Sequence, residues 1–238
     1  MLEGCRSGVY ERIAVDGAAG GFIRPGGLEL TERALSLCAF PPGSRLLDVG
    51  CGTGATVEHL IGRHGFFAAG IDLSLPMIEM GSARNLLLPL IRAAAEHLPF
   101  GDAEWDGVLA ECSLSLTGDP DAVLRECRRV LKRGGRLVLS DLYLKDAQAV
   151  PDFGPLHPDC GLAGALPKDA LMGRLKGCGF RVFAWEDHSA SLKRFAAQLI
   201  FANAAGGFSR CSPMGAVTLA DFGYFLAIAE KLSEHNWK

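Results

Sequence analysis

The chain has 238 residues, of which 49% are apolar and 21% charged, and its formal net charge is −3. That length suits one α/β domain with a sizeable core, and the composition excludes wholesale disorder. With near-neutral charge and no dense Lys/Arg block there is no electrostatic footprint for nucleic acid or an anionic membrane, which leaves a small-molecule or protein substrate.

The N-terminal stretch MLEGCRSGVYERIAVDG mixes acids, bases and glycines and lacks the continuous apolar segment of a secretory leader. No apolar run reaches the ~18 residues of a membrane span. Both observations place the chain in the cytoplasm. Strand-like and helix-like patterns alternate after residue 28, as in a mostly parallel sheet covered on both faces. LELTERALSLCA reads as a helix ending before Pro41 and Pro42, and the first strand follows from Arg45 to Val49. A helix from about Gly54 to Arg63 leads to the second strand, FFAAGID, and Ser74 caps the next helix with Pro76 in its first turn. The third strand is LPLIRAA and the fourth WDGVLAE. Asp119 and Pro120 then open a helix whose apolar stripe is Val123, Cys127, Val130 and Leu131. Lys132 and Arg133 complement the end of its dipole before Gly134 and Gly135 stop it.

The fifth strand is RLVLSDLYL. After it, residues 145–166 carry no period and three prolines, the pattern of a functional loop or lid. PKDALMGRLKGCGF is a helix closed by glycines, FRVFAWEDH the sixth strand, and SLKRFAAQLIFAN a helix with Leu192, Phe195, Leu199 and Ile200 at core spacing. The last strand, GYFLAIAEK, pairs antiparallel beside the sixth. Eight cysteines, at 5, 38, 51, 112, 127, 160, 178 and 211, form no CxxC pair, so they read mostly as small buried hydrophobes and no metal-ligand set is assigned.

Chemistry concentrates in LLDVGCGTGATVEHL, residues 46–60. Gly50, Gly52 and Gly54 put permissive backbone where a strand turns into a helix, the place where such folds receive nucleotides. Gly50-x-Gly52-x-x-Ala55, with Asp72 standing 18 residues after Gly54, also satisfies the dinucleotide fingerprint, so an NAD-dependent oxidoreductase is one reading. Asp48 argues against it: an anion beside the turn repels a diphosphate and favours a cationic ligand such as an amino-acid ammonium, which points to S-adenosylmethionine.

With these residues in view the chain resembles the class I S-adenosylmethionine-dependent methyltransferases. LDVGCGTG, GIDLS, AEHLPF, EWDGVLAE and RVLKRGG occur in that family's order and spacing, over about residues 24–144. The resemblance implies a Rossmann-like, doubly wound seven-stranded sheet of order 3-2-1-4-5-7-6 with strand seven antiparallel. It implies one methyltransferase domain over 1–238: a cofactor cover at 1–27, the cofactor-binding core at 28–144, the lid-like loop at 145–166, and the rest of the sheet with a substrate-side helix at 167–238.

It also implies roles. Gly50, Cys51, Gly52 and Gly54 admit the methionine part, Asp48 lies near its ammonium, Asp72 holds both ribose hydroxyls, and Leu73 packs on adenine. Where the family has an acid for the adenine amino group this chain has Ala94, so recognition passes to the Ala95 backbone and Glu96. Glu111 and Cys112 face the methionine and the methyl acceptor. Arg24, in RPGG, is a candidate for the cofactor carboxylate.

Methyl transfer from a sulfonium needs alignment and exclusion of water more than acid–base machinery, so sequence says least about the small-molecule acceptor. His188 is a candidate base, histidine being the side-chain type that titrates near neutrality. HPDCGLAGAL with the following helix resembles arsenite methyltransferases, and Cys160 with Cys211 forms a candidate thiolate pair for a metalloid. A non-catalytic module that binds the cofactor is a further alternative.

Overall fold

The computed structural model describes residues 24–146, 162–203 and 219–233. In chain order the elements are α1 (Gly27–Cys38), β1 (Arg45–Val49), α2 (Ala55–His64), β2 (Phe67–Asp72), α3 (Leu75–Arg84), β3 (Leu90–Arg92), β4 (Trp105–Glu111), α4 (Pro120–Val130), β5 (Leu131–Leu144), β6 (Leu166–Pro167), α5 (Lys168–Gly177), β7 (Phe180–Asp187), α6 (Ser189–Asn203) and β8 (Phe222–Lys231). The sheet runs β3-β2-β1-β4-β5-β8-β7, with β8 antiparallel to both β5 and β7. Apart from the two-residue β6, which pairs only with β5, this is the expected order.

Adjacent residues of each central strand point to opposite faces, and both faces are dry. Leu46, Leu109, Val138, Leu226 and Ile228 pack on Leu30, Ala34 and Leu35 of α1 and on Val57 and Leu60 of α2. Their neighbours Leu47, Val108, Leu137, Ala227 and Ala229 pack on Val123, Leu124, Cys127 and Val130 of α4 and on Leu171 and Leu175 of α5. Burial on two sides is why these strands read as near-continuous apolar runs rather than alternating ones. Helix starts are set locally. The Ser74 hydroxyl accepts from Met77 N at 3.3 Å and the Asp119 carboxylate from Ala122 N at 2.9 Å, each followed by a proline in the first turn.

Three boundaries differ from the sequence reading. α4 stops at Val130, before Lys132 and Arg133, because Leu131 is already paired with Trp105 of β4. Lys132 instead reaches Asp106 at 2.7 Å, and Arg128 and Arg129 supply the basic last turn. β3 keeps just Leu90–Arg92, and the end of the loop expected at 145–166 contributes β6. Residues 147–161, with Cys160, and 204–218, with Cys211, lie outside the described residues. No helix among the described residues is long and apolar enough to cross a membrane.

Leu124 is fully buried between α4 and the sheet. Leu124→Ala is therefore expected to cost about 2–5 kcal/mol, read as a lower urea midpoint with an unchanged slope. A midpoint within error of the wild type would contradict the packing described.

Candidate functional site

The site is the C-terminal edge of β1, β2 and β4, where strand order reverses and α/β sheets leave a crevice. The chain leaves β1 through a turn that crosses to β2: Gly50 N and Cys51 N both donate to Ile71 O, at 2.8 and 2.9 Å. Gly50 has φ +78°, and a Cβ there would lie 2.5 Å from the Cβ of Ser113. Ser113 in turn donates its hydroxyl to Val49 O at 2.9 Å, so glycine at position 50 lets the segment after β4 close over the end of β1. Gly52 N donates to Asp72 Oδ2 and Ser74 N to Asp72 Oδ1, both at 2.8 Å. Two amides from different elements thus fix the carboxylate at the end of β2. Gly54 begins α2 without a side-chain cap, leaving the helix N-terminus as a partial positive charge facing the crevice.

Three carboxyl groups meet there. Asp48 is 3% exposed, near the end of β1. Burial, reinforced by the nearby Glu111 charge, pushes its pKa up to about 8 against the partial relief given by Arg24. Glu111, 5% exposed at the end of β4, is ion-paired to Arg24 at 2.7 Å. The Thr31 hydroxyl of α1 donates to Glu111 Oε1 at 3.1 Å and the Thr56 hydroxyl of α2 to Oε2 at 3.4 Å. Arg24 also donates to Thr31 at 2.7 Å, to Thr56 at 3.1 Å and to Gly27 O at 2.7 Å. The guanidinium expected to meet a ligand carboxylate therefore stands in the site, against the first turn of α2, with Glu111 as its partner in the chain.

Other expected residues divide into near and far. Ala93 N donates to Asp72 O at 3.0 Å, which brings the segment carrying Ala95 and Glu96 beside the end of β2. Arg129 holds that segment from α4, donating to Leu98 O at 3.0 Å and Phe100 O at 2.8 Å. Leu73 is half-buried next to Asp72. Cys112 follows Glu111 directly and takes φ +57°, an unfavourable conformation for a side-chain-bearing residue that is fixed by Cys112 N donating to Ser140 O at 2.6 Å.

His188 is elsewhere. Its Nε2 is hydrogen-bonded to Glu186 at 3.1 Å, and Glu186 also holds Arg33 of α1. β5 and β8 lie between β7 and β4, which separates this histidine's strand from that of Glu111 by three strand spacings, ~14 Å. Cys38, Cys51, Cys127 and Cys178 are buried thiols whose pKa burial raises, to about 12 for Cys38 and Cys127, so they are unreactive packing residues.

The sequence reading missed Thr31, Thr56, Ser113 and Asp141. Asp141 is 3% exposed near the C-terminal end of β5. It accepts from Ser115 N at 2.9 Å and Ser115 Oγ at 2.7 Å, anchoring the turn that follows Cys112. A polar Ser-Asp pair inside the apolar run RLVLSDLYL was a signal for it; the threonines gave none, because their partner is remote in sequence.

Residues 47–139 match the methyltransferase domain family. The chain is 32% identical over 170 residues to O-methyltransferase rstn1 of Aspergillus nomiae, covering 67% of this chain and 72% of that one. It is 34% identical to a demethylmenaquinone methyltransferase of Corynebacterium kroppenstedtii over 53% of this chain and 52% of the other. The chain spans about half to three fifths of the length of the first curated relatives it matches. Among solved structures, the [4+2]-cyclase SpnF superposes with TM-score 0.75 at 26% identity, over 95% of this chain and 94% of that one. Phosphoethanolamine N-methyltransferase 2 of Haemonchus contortus, solved with S-adenosyl-L-methionine, shares the fold with TM-score 0.75 at 18% identity, over 95% of this chain and 57% of that one. With its glycine corner, its acidic crevice and these relatives, the chain belongs to the class I S-adenosylmethionine-dependent methyltransferase family.

Proposed function

We propose that this chain binds S-adenosylmethionine and transfers its methyl group to a small-molecule acceptor. The observation that carries the reading is charge: a buried carboxyl, Asp48, beside Glu111 and Asp72, with Arg24 as their counter-charge. A diphosphate placed there would add negative charge to this corner, whereas an ammonium removes the cost that raises the Asp48 pKa. No observation on this molecule favours the oxidoreductase alternative. The residues present fit the cofactor, since glycine at position 50 lets the turn close against Ser113 and the buried Asp48 carboxyl, its pKa raised by burial and by neighbouring acids, is relieved by a cation. When bound, S-adenosylmethionine supplies a methyl group already activated on a sulfonium.

The chain's own residues then bind and orient. Asp48 receives the ammonium, and the uncapped start of α2 with Arg24 forms the positive corner for the carboxylate, so the two ends of the amino-acid part are sorted by charge. Asp72 is oriented by Gly52 N and Ser74 N to accept from a ribose diol. Leu73, the Ala95 backbone and Glu96 line the adenine side, and Cys51, Gly52 and Gly54 complete the turn. Cys112 faces the acceptor, and a base is needed only should the acceptor arrive protonated. Relatives named as O-methyltransferases make hydroxylated small molecules the first acceptors to try. The free thiols of the buried cysteines accord with a reducing, cytoplasmic setting.

The test must read the methyl group and not just binding, because one structural relative at 26% identity is named as a cyclase. Incubation with methyl-labelled S-adenosylmethionine and a hydroxylated-metabolite extract is expected to yield labelled product; binding without transfer would overturn the catalytic part, and NAD binding in place of S-adenosylhomocysteine would overturn the whole. Asp72→Ala should weaken S-adenosylhomocysteine by about 10-fold to 100-fold, since two charge-assisted hydrogen bonds at ~1.5–3 kcal/mol each are lost and partly replaced by water. Equal affinity by calorimetry would remove the ribose role.

The Asp48 shift gives a signed pH effect. With a pKa of about 8 the carboxyl is mostly protonated at neutral pH in the free protein, and an arriving ammonium favours the ionised form, so binding releases a proton. Affinity should therefore rise as pH increases from ~6 to ~8. The calorimetric heat at neutral pH should vary with buffer ionisation enthalpy, approaching one proton released, and Asp48→Asn should abolish that variation. A buffer-independent heat in the wild type would refute the assignment.

A further inference from the structure

Beside the crevice residues but not among them, Glu32 of α1, next in sequence to Thr31, meets His59 and His64 of α2 across the helix pair. Glu32 Oε1 is 2.6 Å from His59 Nε2 and 2.8 Å from His64 Nε2. The three ligand atoms all lie within 4.8 Å of one another. Neither imidazole is loosely placed. The His64 ring stacks on Phe66, with centroids 5.4 Å apart and planes 9° from parallel, and His59 meets His64 edge to face at 5.5 Å. Aromatic packing thus aims two ring nitrogens at one carboxylate oxygen across a helix–helix seam.

We propose that Glu32, His59 and His64 form a binding site for a divalent transition metal of the zinc class. Two imidazoles and one carboxylate are a donor set suited to a borderline ion, with water completing a tetrahedron. Ligands held at 2.0–2.1 Å from a tetrahedral ion are about 3.3 Å apart, so the carboxylate has to withdraw by roughly half an ångström from its present hydrogen-bonding distance. Glu32 can do so because its side chain is 39% exposed, whereas His59 is 15% exposed and held in place. Arg63, 3.4 Å from the same Glu32 oxygen and 70% exposed, is the competing cation and turns to solvent when the metal enters. The site bridges α1, which carries Thr31, to α2, which carries Thr56, and so pins together the two helices that hold Glu111. It does not depend on what the crevice binds.

The test titrates the full chain with zinc chloride by calorimetry and with cobalt(II) chloride by absorption. One equivalent is expected to bind, with the visible bands of tetrahedral cobalt and without the near-ultraviolet band that a thiolate ligand adds. His59→Gln and His64→Gln should each weaken binding by at least ~10-fold, a loss that even changes to residues behind the ligands can cause. Cys160→Ser and Cys211→Ser should leave it unchanged. Zinc should also raise the thermal midpoint of the wild type by mass action. Absence of binding, a thiolate band, or equal affinity in the double histidine variant would overturn the proposal. Should the histidine variants fail to fold, Arg63→Gln keeps all three ligands and decides the matter: it should bind zinc more tightly, and an unchanged or lower affinity would count against the site.

Discussion

Asp48, Glu111 and Asp72 bring three carboxyl groups to one end of a parallel sheet, and Arg24 faces them from the segment before α1. Burying a charge without a partner is among the costliest acts in folding, so the corner is tolerable because each group is handled differently. Asp72 is tied by two backbone amides, and Glu111 by a guanidinium and two threonine hydroxyls. Asp48 is left protonated over most of the neutral range, its pKa lifted to about 8. Burial and the neighbouring Glu111 and Asp72 together set that shift, with Arg24 opposing it.

The sheet makes this arrangement possible. Because β1 lies between β2 and β4, the acid at the end of each of those strands projects to the same edge. Helices α1 and α2 cover one face by packing Leu30, Ala34, Val57 and Leu60 on the strands, and the same packing presents Thr31 and Thr56 to Glu111. Core and site are thus built from neighbouring buried positions of the same two helices. The antiparallel β8 widens the sheet and carries β7, with its Arg33–Glu186–His188 cluster, away from the acids.

Sequence reading succeeded where a signal is local. The acid-then-glycine turn, the capping Ser74 and Asp119, the strand-end Asp72 and the antiparallel last strand all follow from spacing within a dozen residues or from connection length, and the structure has them in the places expected. It failed where a tertiary partner outbid a local preference. Lys132 and Arg133 look like the basic end of a helix, but a strand pair to Trp105 claims Leu131 first. Arg24 was readable as a partner for a carboxylate, but its ion pair with the chain's own Glu111, 87 positions away, was not.

By itself, then, the sequence determined the order of elements, the layered α/β class, the glycine corner and the acids beside it, since periodicity and turn chemistry are properties of neighbouring residues. Tertiary structure alone decided which charges meet. Thr31 and Glu111 are 80 positions apart, and Glu32 lies 27 and 32 positions from His59 and His64. Separations of that kind carry no periodic signature, and the ionisation of Asp48 depends on how much water the packed helices exclude. Those facts are fixed when α1 and α2 settle on the sheet, because distance and dielectric are properties of the folded arrangement.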